Sequence, residues 1–286
     1  MARQTISDES AGVIISPVET FLGFTESVRQ LDQCDIWPSL RFLSSDHCVE
    51  ENNHGIFSWR SRLTSLITAV FFIAVAWITS DLGYFLLLPA VGIRPGYNVA
   101  PFAIGLYYAA WTAIAVIAFW PLYRNWTPFQ NRMRAYIFLL AFVVAVAAFA
   151  IFGLPNLPSI IWTESWDAPD LMVANEWYFL PKSIEILFQQ LLIAALVLAL
   201  AANNYRISTI AIVCALLFGS AHLLLGFGGL PLGYVTRFAA AAAAFGVVFP
   251  HLILRVPNGF AYSYALHWLY YIVTIVMAHT VSPYVV

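Results

Sequence analysis

Beyond about residue 60 the chain alternates between long apolar runs and short polar breaks. A helix needs about 20 consecutive apolar residues to cross the hydrocarbon core of a bilayer. Seven stretches reach that length, at roughly 62–88, 101–123, 134–154, 177–202, 206–227, 232–255 and 260–282. The pattern predicts an all-α, polytopic membrane helix bundle of about seven transmembrane helices over 61–286. The first stretch is long enough to break near Thr79, Ser80 and Asp81, which would leave an interfacial piece or an eighth short span. No internal repeat at a fixed period is visible. Residues 1–60 differ in kind: they hold nine acidic and four basic side chains and no run long enough to span. They read as a polar extramembrane tail, with room for an amphipathic helix at 18–31. The first apolar patch, 12–17, is too short for the core of a signal peptide.

Composition sharpens this picture. Of 286 residues, 61% are hydrophobic and only 10% charged, where a soluble domain carries roughly 25% charged residues. Most of the chain therefore faces lipid or its own core, and membrane lipid is an expected partner. A net charge of −2 supplies no basic footprint for nucleic acid. Cys34, Cys48 and Cys214 lack the spacing of a zinc knuckle or a disulfide framework, and Cys214 reads as a buried small hydrophobe. Arginines 60 and 62, then 124, 132 and 134, then 206, then 255 fall on one side of a seven-span topology, whereas the loop between spans 3 and 4 is acidic. By the positive-inside rule the N-terminus is expected in the cytoplasm, in a cell (plasma) membrane.

The polar residues inside the spans carry the candidate chemistry. An ionisable group at the bilayer centre costs at least about 2.5–3.5 kcal/mol on insertion scales, so its presence calls for a reason. Of the six acids beyond residue 60, only Glu185 is expected inside a span. His222 is expected in span 5, His251 in span 6, and His267 and His279 in span 7. His251 and His279 lie near span ends and read as bonds to neighbouring helices. Lys182 is the only lysine and sits near the start of span 4, so a retinal Schiff base deep in the last span is excluded. Three pairs share a helix face at i and i+4: Glu185 with Gln189, Phe218 with His222, and His267 with Tyr271. The glycines at 226, 228 and 229 with Pro231 make a turn and lack the lysine and the strand of a phosphate loop.

This ordered set resembles the CPBP family of intramembrane proteases, which includes type II CAAX prenyl endopeptidases and bacterial Abi proteins. The family pattern is E-E-x-x-x-R, then F-x-x-x-H, then a Phe-Gly-containing helix, then H-x-x-x-N or a variant. Here it meets Ile184-Glu185 with Gln189 and Gln190, then Phe218 and His222, then Phe245-Gly246, then His267 and Tyr271. The likeness covers about 177–275, with gaps of 37 and 45 residues between Glu185, His222 and His267. It departs from the pattern in three ways. One glutamate replaces the pair, a glutamine (Gln189 or Gln190, depending on the alignment) replaces the arginine, and Tyr271 replaces the asparagine. If Glu185 takes the second glutamate position, Ile184 stands where the family has its catalytic glutamate.

The resemblance implies an intramembrane peptidase acting on prenylated or hydrophobic peptides without a cofactor. In that chemistry Glu185 is the general base that activates a water, and His222 bonds the water or the carboxylate. His267 then donates to the oxyanion, with Tyr271 as a second donor. The expected spans set His267 on the order of 10 Å deeper than the other two. Two alternatives remain open: a catalytically inactive CPBP-like scaffold or immunity protein, and a hydrolase in which Glu185, His222 and His267 bind Zn²⁺ or Fe²⁺.

Overall fold

The computed structural model describes residues 55–124, 126–166 and 168–281. The tail up to residue 54, the helix expected at 18–31, Cys34 and Cys48 lie outside the described residues. Within them the fold is all-α, with seven helices long and apolar enough to span a membrane. They are α1 (Gly55–Leu82), α2 (Pro101–Ala118), α3 (Arg132–Ala148), α4 (Phe179–Ala202), α5 (Ile207–Ala221), α6 (Leu232–Arg255) and α7 (Gly259–Val281).

The first stretch, long enough to break at Thr79–Asp81, stays helical there. Thr79 and Ser80 return their hydroxyls to the carbonyls of Val75 and Trp77, at 2.6 and 2.8 Å, so the helix absorbs both without interruption. The irregularity comes later, as a π turn at Gly83–Leu87 that runs into a short helical turn at Leu88–Ala90. Gly83 leaves room there for the hydroxyl of Tyr107, which a Cβ would displace and which donates to the Ser80 carbonyl at 2.6 Å. One continuous span, Leu66–Ala90, results. Asp81 consequently lies inside it, and the expectation that Glu185 is the single intramembrane acid is corrected.

Span 2 ends earlier than its hydropathy suggests. Pro121 lacks the N–H that the next helical bond needs, and the chain turns at Phe119 into a four-residue helical turn, Trp120–Tyr123. Span 3 is carried past α3 by a π turn at Phe149–Gly153 and a 3-10 turn ending at Asn156.

α4 is the axis of the bundle and packs against α1, α2, α5, α6 and α7. Every residue from Leu192 to Leu200 is buried. The outward faces of the other helices expose Phe71, Leu106, Leu140 and Leu216, as a lipid-facing surface should. α5 and α6 approach most closely, through small residues. A Cβ on Gly246 would collide with the backbone at Ala215, and one on Gly219 would lie 3.0 Å from the Ala243 methyl. Without a hydrophobic drive between helices in lipid, such close backbone packing is what holds them. Cys214 is buried at this seam, as expected.

The turn between α6 and α7 places Asn258 in the left-handed region (φ 61°). Its side-chain oxygen accepts the Asn131 amide at 3.2 Å, which ties this turn to the start of α3.

Candidate functional site

A cavity of about 640 Å³ opens between the ends of the helices. Its rim is made by the loops joining α1 to α2, α3 to α4 and α5 to α6, with Arg94 and Val99 exposed there. The connectivity puts this rim at the end of the bundle opposite the loop that carries Arg124, Arg132 and Arg134. Two rim loops are laced together at Asp170. Its carboxylate accepts the Tyr97 amide at 3.0 Å and the Asn98 side-chain amide at 3.3 Å, and Asn98 in turn accepts the Asn175 amide at 3.0 Å. Burial pushes the Asp170 carboxyl above the usual carboxylate range, and those donors pull it back.

Glu185 sits behind the cavity wall, buried, with three of its about four lone-pair sites engaged. Oε2 accepts from the Lys182 ammonium at 2.7 Å and from the Tyr97 hydroxyl at 2.6 Å, while Oε1 accepts from Gln189 at 2.9 Å. Lys182 is one helical turn before Glu185, at i and i+3, so α4 brings cation and anion together on one face. The Lys182 ammonium also lies 4.3 Å from the ring centre of Tyr271 and 4.8 Å from that of Tyr97, within cation–π range. Tyr97 remains a hydroxyl donor, because burial and then the charge of Glu185 push it well above its ordinary value. Its ring stacks with Tyr84 and Tyr108 at 5.7 and 6.5 Å, which fixes the loop residue against the bundle.

The two histidines divide. His222 ends α5 and lines the cavity. Its Nδ1 is 2.8 Å from the Phe218 carbonyl, which can only accept, so Nδ1 carries a proton and the lone pair of the neutral ring falls on Nε2. His267, on α7, is buried and pairs through Nδ1 with the Gln190 amide at 3.1 Å, while Gln190 accepts the Ser263 hydroxyl at 3.0 Å. Gln190 is five residues beyond Glu185, or about 7.5 Å along the helix, so the expected difference in depth is present. Phe218 stands between the histidines, with its ring 4.8 Å from His222 and 5.7 Å from His267.

Thus Glu185, Gln189 and Tyr271 meet around Lys182, Gln190 and His267 form a separate bridge between α4 and α7, and His222 faces the cavity from α5. Among the described residues no three His, Cys, Asp or Glu side chains, this trio included, are grouped so as to hold a metal ion. His279 bonds the Pro158 carbonyl at 2.7 Å, the neighbour contact expected of it.

Sequence reasoning missed two partners of Glu185. Lys182 was legible from its i, i+3 spacing. Tyr97, 88 residues away on a loop, carries no local signal. No protein-family model, curated protein or solved structure matches the chain.

Proposed function

We propose that this chain is a membrane protein with a CPBP-like helix bundle that receives a ligand in its cavity without cleaving it. The observation that carries this reading is the state of Glu185. A general base needs a lone pair within reach of a water, and here three protein donors, one of them a cation, hold the carboxylate behind the wall. Releasing it would break a buried ion pair, at a cost of about 3–5 kcal/mol. The Gln189 bond also favours the alignment in which Glu185 is the second glutamate of the family pair. Ile184 then stands at the catalytic place, and its side chain packs toward Gly105 of α2.

The arginine distribution supports a cytoplasmic N-terminus, with the cavity opening on the other side of a plasma membrane.

Peptide hydrolysis is the second reading. It is favoured by the presence of His222, Gln189 and Tyr271 on one cavity wall. The test is cleavage of a fluorogenic farnesylated peptide and its unprenylated twin by the full chain in phosphatidylcholine nanodiscs. No cleavage above the level of Glu185→Gln is expected. Cleavage that depends on Glu185 would replace binding by hydrolysis.

A further inference from the structure

The part of the cavity away from the Lys182–Glu185 pair carries acceptors that no protein donor uses. Asp81 lines the cavity from α1 and makes no hydrogen bond to any described residue. The Gln189 Oε1, buried on α4, finds no donor among them either. The lone pair of His222, on Nε2, is the third acceptor. Asp81, Gln189 and His222 thus offer a ligand three acceptors, beside the hydroxyls of the lining tyrosines.

Charge points the same way. At the rim Asp170 is engaged by Tyr97 and Asn98, and Lys182 is neutralised by Glu185. Asp81 is thus the acidic side chain of the described lining that no protein donor engages. The walls beside it are aromatic. Trp77 lies one turn before Asp81 on α1 and Tyr84 lies in the π turn just after it, both lining the cavity, and Tyr108 stands next to Tyr84 with ring centres 6.2 Å apart. That such walls accept a cation is visible in the Lys182 ammonium, seated over Tyr97 and Tyr271. An anion at this end of the cavity would meet the oxygens of Asp81 and Gln189, whereas the Arg94 guanidinium is exposed at the rim.

We infer that the cavity takes the ammonium head of an amphiphilic amine, seated on Asp81, Gln189 Oε1 and His222 Nε2 among the rings of Trp77, Tyr84 and Tyr108. The inference rests on the ligand-binding reading above and gives that ligand its chemical class. A cavity of about 640 Å³ is of the size that encloses a small organic molecule, and Phe85, Leu225 and Phe238 line it for an apolar tail.

The experiment is calorimetric titration of the full chain in phosphatidylcholine nanodiscs with octylammonium, octanol and octanoate, with partition into empty discs subtracted. Octylammonium is expected to bind saturably and at least about tenfold more tightly than either of the others. Asp81→Asn should weaken it by about tenfold or more, the worth of one charge-assisted hydrogen bond. The wild-type preference needs no variant, so a poorly folded Asp81→Asn could not hide the answer. Equal or tighter binding of octanol or octanoate overturns the amine assignment and leaves the ligand-binding reading standing. Wild-type affinity in Asp81→Asn overturns Asp81 as the seat. Failure of all three probes to bind overturns the assignment and the binding reading together, whatever the cleavage assay shows.

Discussion

Glu185 and Asp81 are two carboxylates of one bundle, each inside a long apolar helix and each beside the same cavity. They are kept there by opposite means. Glu185 is enclosed and holds a cation, a phenol and an amide. Asp81 faces the cavity and has no hydrogen-bond partner among the described residues. The cost of a carboxylate in a membrane is the same kind of cost in both cases, but one is offset within the fold and the other is left open to a visitor. The first therefore works as an internal strut, and the second as a point of recognition. The carboxylate that draws attention in the sequence, because it matches a catalytic pattern, is the one already held by three protein donors.

The comparison can be broken most forcefully at the strut. Lys182→Met leaves Glu185 buried without its cation, and should cost about 3–5 kcal/mol, read as a large fall in the thermal midpoint and loss of a monodisperse peak in detergent. Adding Glu185→Gln should restore at least about 1 kcal/mol of that loss, because the stranded charge is gone. A double variant as unstable as the single one would mean that Lys182 acts through its ring contacts and not through Glu185. Tyr97→Phe removes one donor to a charged acceptor, and about 1.5–3 kcal/mol is expected from the same measurement. The smallest effect belongs to the other wall. Asp81→Asn should leave the thermal midpoint of the ligand-free protein unchanged to within about 0.5 kcal/mol, or raise it, since no protein partner is lost. A loss comparable to that of Tyr97→Phe would show that Asp81 is a strut too, and would erase the contrast.

Much of the architecture was legible in the chain. About seven spans were expected, and the described residues contain seven helices long and apolar enough to cross a membrane. The misjudged details have local causes: the helix ends at Phe119 because Pro121 follows, and it continues through Asp81 because two hydroxyls bond their own helix. The site was legible only in parts. Glu185 with Gln189 and Phe218 with His222 were paired by helical spacing, and both pairs exist as contacts. The convergence expected of Glu185, His222 and His267 was not a matter of spacing, and the structure distributes the three over separate sets of partners.

By itself the sequence determined the membrane fold class and the number of spans, because transfer of about 20 apolar residues into hydrocarbon is a local quantity, summed along the chain. It also determined which ionisable groups would be carried inside with them. Only the tertiary structure decided what those groups do. Whether a buried carboxylate is a strut or a seat depends on which donors reach it, and one donor to Glu185 comes from a loop residue 88 positions away. Such a contact is fixed by how the helices pack, through glycines such as Gly83 and Gly246, and packing in lipid is a property of pairs of helices that no single segment contains.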